Sequence, residues 1–244
     1  MTSAVPPKKD DEGDVEGFLE DILGFNYRSL RTFRDLVIRP NIVFRSYAEH
    51  DRMTYTPSLR LWLGLIGIQL IISVLWGGYG GILVTQMESQ SDVSVANIER
   101  LLGASIEELS LPYGEAAAFL HPILVGSFTA FSAFLIGAFN RTLTWAARIN
   151  ITFGILTAGS LVGAILQIVI LVGNDPTILT WMIFPVVLSY WFFFTRGASG
   201  LLATTRVGII IKGAIFAFVT MALVMIGGII MSLAAFAYAA MSLG

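Results

Sequence analysis

Three polar side chains in this 244-residue chain stand inside long apolar runs: Gln69, Gln167 and Lys212. A charged or amide group at such a depth is costly, so each needs a structural partner or a functional use. Lys212, five residues inside the last run, can snorkel to the nearby surface or face a substrate or ion. The two glutamines can bond to a neighbouring helix or line a polar path. His121 precedes Pro122 at the expected start of a span, and His50 lies in a charged stretch without a partner His. Neither has metal-site spacing. No Asp or Glu falls in an expected span, so no proton- or sodium-coupling site is evident. No nucleophile elbow, HExxH, P-loop or dinucleotide loop is present. The absence of cysteine removes thiolate catalysis, disulfides and Cys-ligated metals. The residues point to no enzyme and no cofactor.

The basic residues say more. Nine of the 15 Lys and Arg precede residue 61. Arg28, Arg31, Arg34, Arg39 and Arg45 fall in segment 17–52, where Phe18, Leu19, Ile22, Leu23, Leu30, Phe33 and Val37 recur at helical spacing. One or two amphipathic helices are expected there, lying on the inner membrane surface or packed onto the ends of a bundle. Pro40 should stop the first, and Asn41 should cap the second. These five arginines are the candidate contacts for anionic lipid or a partner protein, at roughly 1 kcal/mol each near an anionic surface. The alternative is that they only set topology. No nucleic-acid partner is indicated.

The elements that must position these groups are membrane spans. An apolar fraction of 55% and a charged fraction of 13% argue for an integral membrane protein. Apolar runs cover 59–84, 119–140, 149–172, 176–195 and 207–243. Ser58 is expected to cap the first, and Gly77, Gly78, Gly80 and Gly81 to end it or admit a close neighbour. A turn at 173–176 makes the third and fourth a tight hairpin. The last run would be about 55 Å long as a helix. It is expected to be one long, tilted or kinked span, with a turn-back near Gly227 and Gly228 as the alternative.

Loop 86–118 carries six acids against Arg100. It should hold short helices, one stopped at Gly103 and one opened by a Ser105–Glu108 capping box. The other gaps alternate: Arg141 and Arg148, then none, then Arg196 and Arg206, then none. That alternation reads as an all-α, five-span bundle with its N-terminus cytoplasmic and its C-terminus periplasmic. The domain plan is an acidic disordered tail at 1–16, a juxtamembrane segment at 17–58 and the bundle at 59–244. Small-residue steps (Gly154 with Ala158, Gly159 with Gly163, Gly213 with Ala217, Gly228 with Ser232) serve packing within one chain or against a second subunit. The acceptor patterns at Asn140 and Asn150 fall on the cytoplasmic side and are read as chance.

The segment carrying Ser29, Phe33, Arg39-Pro40, Tyr47, Tyr55 and Pro57 resembles the pre-span segment of a bacterial membrane family of unknown function. The five-span plan is similar to that of the Yip family of membrane-organising proteins. The resemblance implies a non-enzymatic adaptor or accessory subunit in a bacterial inner membrane, binding lipid and a membrane-protein partner or a second copy. Two departures stand out. That bacterial family often begins with a Cys-based zinc ribbon, absent here, and Tyr55 is one residue closer to Pro57 than usual. The alternative function is a small permease or channel, with Gln69, Gln167 or Lys212 facing its path.

Overall fold

The computed structural model describes residues 27–51, 53–75, 77–88, 92–173, 181 and 183–243. The acidic tail, residues 17–26 and the turn at 174–176 lie outside these. Among the described residues the chain is all-α, with one isolated bridge between Ser199 and Ala203. The helices are α1 (Tyr27–Ile38), α2 (Pro40–Ala48), α3 (Ser58–Val74), α4 (Gly78–Glu88), α5 (Asp92–Leu102), α6 (Ile106–Ala130), α7 (Ser132–Phe139), α8 (Trp145–Gly173), α9 (Ile183–Gly197) and α10 (Arg206–Leu243).

Among the described residues, three helical stretches are long and apolar enough to cross a membrane: Ile106–Phe139, Trp145–Val169 and Arg206–Leu243. The α3–α4 pair passes the same test only jointly, bent by 62° as a broken span or re-entrant loop. Its break falls at Gly77 and Gly78, whose φ angles of 76° and 69° lie in the left-handed region. The glycines beyond the break serve contact. A Cβ on Gly114 of α6 would lie 2.8 Å from the Gly80 nitrogen. The cluster thus both ends α3 and admits a close neighbour.

The expected loop 86–118 is corrected by the structure. The Ser105–Glu108 capping box is present, and α5 stops at Gly103 (φ 76°). The capped helix is not a short surface piece, however. It continues from Ile106 into the expected span as far as Ala130, and α7 carries the same stretch on to Phe139. Ile106, Leu109, Tyr113 and Ala117 form one buried stripe against Met231, Ala235 and Ala239 of α10, while Glu107, Glu108 and Glu115 stay exposed. A search for continuous apolar runs overlooks such an amphipathic extension.

Two further caps differ from expectation. α2 begins at Pro40 with Arg39 in the cap position and no side-chain cap, so Asn41 is already helical. α3 is preceded by Pro57, and Ser58 is its first residue. Pro40 stands at the first helical position, where its fixed φ suits the helix, whereas Pro57 is the extended residue just before α3.

α10 runs as one helix of 38 residues, about 57 Å. Gly227 does not break it. A Cβ there would lie 3.1 Å from the Val125 Cα and 3.2 Å from the Phe128 Cβ of α6, so glycine permits close approach. Within a membrane no water competes for the backbone hydrogen bonds, and a Gly pair can stay helical.

The larger core gathers Leu36, Phe44, Leu61, Ile151, Phe194 and Phe216 from six helices. α1 and α2 contribute to it directly, packing on α8 and α9. The described part of the amphipathic segment packs onto the bundle ends, one of its two expected placements, and the two are compatible with each other. Arg196, near the end of α9, donates Nη1 to the Val37 carbonyl at 3.1 Å and Nη2 to that of Ile38. These are the free carbonyls at the end of α1, where a cation is also favoured by the helix dipole. The small-residue steps at Gly154, Gly159 and Gly213 likewise receive Phe44, Tyr190 and Phe194 of the same chain, whereas Gly228 faces open space.

Candidate functional site

The sequence R-x-x-R-D-x-x-x-R places Arg31 four residues before Asp35, Arg34 beside it and Arg39 four after. On a helical surface this spacing turns the side chains toward one carboxylate. The structure closes that arrangement. Asp35 Oδ1 accepts from Arg34 Nε at 3.2 Å, Arg34 Nη2 at 3.1 Å and Arg39 Nη2 at 3.1 Å. Its Oδ2 accepts from the Tyr55 hydroxyl at 3.0 Å and lies 4.0 Å from Arg31 Nε. The Arg31 guanidinium rests over the Tyr55 ring, 5.5 Å from its centroid.

The Asp35 side chain is only 1% exposed, while Arg31, Arg34 and Arg39 are 44%, 59% and 52% exposed. The carboxylate is covered by its own partners, close to the surface. Burial pushes its pKa upward, but hydrogen bonds from Arg39, Tyr55 and Arg34 outweigh that and hold it below the usual value. Tyr55 moves the other way: burial and the neighbouring carboxylate raise its pKa.

A second network lies directly beneath. Tyr47 donates to the Thr56 carbonyl at 2.7 Å and accepts from Ser58 Oγ at 2.8 Å. The Thr56 N–H donates to Thr32 Oγ1 at 2.9 Å, and the Ser29 and Thr56 hydroxyls are 3.2 Å apart. The Ser58 N–H, one of the donors left unpaired at the start of α3, finds Asn150 Oδ1 of α8 at 2.9 Å. Burial raises the Tyr47 phenol well above its ordinary pKa, so it remains a neutral donor. Replacing Tyr47 by Phe strands the Thr56 carbonyl and should lower stability by about 1–3 kcal/mol. Thermal unfolding in detergent measures this; an unchanged midpoint would show the hydroxyl to be dispensable.

The sequence candidates divide accordingly. Arg31, Arg34 and Arg39 meet at Asp35. Arg28 stands at the margin, its Nε 3.4 Å from Thr56 Oγ1. Arg45 is exposed and apart, beside Gly200 in the turn between α9 and α10. Lys212 donates Nζ to the carbonyls of Leu202 at 2.7 Å and Phe139 at 3.4 Å, over the Phe139 ring. It thereby ties the start of α10 to the two neighbouring turns. Gln69 donates to the Ser160 carbonyl of α8 at 3.0 Å. Gln167, further along α8, keeps a buried Oε1 with no hydrogen-bond donor among the described residues. His121 stacks on Tyr79 at 5.6 Å, and His50 occupies a left-handed turn at φ 62°.

No family model matches this chain, and no curated protein or solved structure is significantly similar to it. The site therefore rests on its own geometry. Sequence reasoning missed Asp35, Thr56, Asn150 and Arg196. Asp35 was readable from its spacing to three arginines. Asn150 carried a misleading signal: its amide donates to the Ala146 carbonyl and its oxygen caps α3. Asn140 is engaged as well, donating to Leu201 and accepting from Thr142.

Proposed function

We propose that this protein is a non-enzymatic membrane organiser, a Yip-like adaptor or accessory subunit of a complex in a bacterial inner membrane. Its topology in this reading is five spans, with α1 and α2 on the cytoplasmic face and the end of α10 outside. The observation that carries the reading is how polar groups are distributed. Gln69 and Lys212 bond to carbonyls of neighbouring elements, tying the bundle together. The arginines around Asp35 instead stand at the surface with their outer faces open. A fold that ties its inner polar groups together and presents charge outside is suited to binding partners.

Gentle detergent extraction followed by native mass analysis tests this. The expected species carries a second copy, another protein or retained lipid; a bare monomer would refute the reading. Topology has its own prediction. A reporter fused after Arg148 should report the cytoplasm, and one fused at Gly244 the outside. A cytoplasmic C-terminus would require an even number of crossings and overturn the five-span plan.

A second reading, a small permease or channel, has one observation in its favour: the buried Gln167 Oε1, without a donor among the described residues. Solute flux into proteoliposomes that falls on changing Gln167 to Leu would favour it.

A further inference from the structure

Charge and apolar exposure coincide on the outer face of α1. Three guanidinium groups share the Asp35 carboxylate, which leaves two positive charges in excess. Among the described residues, no other carboxylate lies within ion-pairing distance of them. Arg39 uses a single Nη2 on Asp35, and Arg31 is held at 4.0 Å, mainly over the Tyr55 ring. Among the described residues, the remaining N–H donors of these three arginines make no further hydrogen bond. Interleaved with them on α1 are Tyr27, Leu30 and Ile38, exposed by 68%, 51% and 53%.

We propose that Arg31, Arg34 and Arg39 form a binding fork for the phosphate of an anionic phospholipid headgroup, with Asp35 and Tyr55 as positioning residues. Guanidinium groups suit this ligand because their planar N–H pairs match phosphate oxygens two at a time. Asp35 keeps the three arms converged, so less side-chain freedom is lost on binding. The apolar neighbours select a lipid over a dissolved anion. At headgroup depth Tyr27, Leu30 and Ile38 enter the acyl boundary while the arginines meet the phosphate layer. Among the described residues these three side chains have no apolar cover that would close over them in water. The position fits too: α1 packs at the end of the bundle where α8 begins and α9 ends.

The inference rests on the proposed placement of α1 at the membrane surface, and the experiment separates the two. The full chain, purified in detergent, is titrated with phosphatidylglycerol or phosphatidylcholine and followed by native mass spectrometry. Phosphatidylglycerol should be retained preferentially. Each of Arg31→Gln, Arg34→Gln and Arg39→Gln should weaken retention about fivefold. Arg141→Gln, at a residue that makes no ion pair with Asp35, should change it less than twofold. Equal losses from Arg141→Gln would indicate a diffuse basic field and overturn the fork. Changing all three arginines to Lys preserves charge but not the planar donors. Full retention by that variant would also overturn it. Displacement by millimolar inorganic phosphate would assign the site to a free anion and overturn the lipid assignment.

The chain has no cysteine, so Leu30→Cys gives a unique labelling site. A spin label there, in reconstituted vesicles, should be reached by a lipid-phase relaxant. A water-exposed label would sink the surface placement itself. A lipid-exposed label with unselective retention would sink the fork alone.

Discussion

Replacing Asp35 by Ala should destabilise the protein by about 3 kcal/mol, among the largest effects of any single change in the cap formed by α1 and α2. The substitution leaves three guanidinium groups repelling one another and removes the acceptor of the buried Tyr55 hydroxyl. A fully buried ion pair broken on one side would cost more. Here the arginines are about half exposed, and water screens part of the loss. Asp35→Asn keeps the shape and loses the charge, so it should fall between the parent and Asp35→Ala.

The same residue gives a pH signature. A carboxylate held below its ordinary value stabilises the fold at every pH above that value, about 4. The contribution disappears as the pH falls through the lower, folded-state value. The thermal midpoint of the parent should therefore drop on acidification below about pH 4. That of Asp35→Asn should start lower and lack this component. Parallel pH profiles for the two proteins would show that Asp35 is not the titrating group.

Gly197→Val should cost at least as much, about 3 kcal/mol or more, through overpacking. Phe44 of α2 is fully buried, wedged between glycines of two helices. A Cβ at Gly197 of α9 would clash with Phe44 Cε2, well inside van der Waals contact, and one at Gly154 of α8 would lie 3.1 Å from its Cε1. Valine cannot fit unless α2 lifts away, which would also part Arg196 from the carbonyls of Val37 and Ile38. Phe44→Ala alone should cost about 3–5 kcal/mol. Combined with Gly197→Val it should cost distinctly less than the sum, because the small residue makes room for the large one. Thermal midpoints for the four proteins of this cycle decide the matter. Strict additivity would show that the two residues do not compete for the same space.

Hydropathy located the long helices because crossing a membrane demands about 20 apolar residues in one run. It said nothing of where α6 begins. Residues 106–118 carry three glutamates, and they are helical because Ser105 caps them and α10 covers one of their faces. Glycine runs were equally ambiguous. Gly77 and Gly78 bend the chain, whereas Gly227 lies inside an unbroken helix. The difference is set by neighbouring helices, which no local pattern records. At the candidate site the arginines were visible by type and the carboxylate by spacing. The Tyr47–Thr56–Ser58 network was not, because its partners lie on α1, α2, the pre-span turn and α8, brought together only by the fold.

That network has a mechanical consequence. The first turn of α3 is pinned from two sides, by Tyr47 through Ser58 Oγ and by Asn150 through the Ser58 amide. Thr32 holds the residue two places earlier to α1. A load applied to the outer face of α1 is thus delivered to the entry points of α3 and α8 with little slack. The cap behaves as a rigid handle on the bundle: whatever grips its arginines takes hold of two long helices at once.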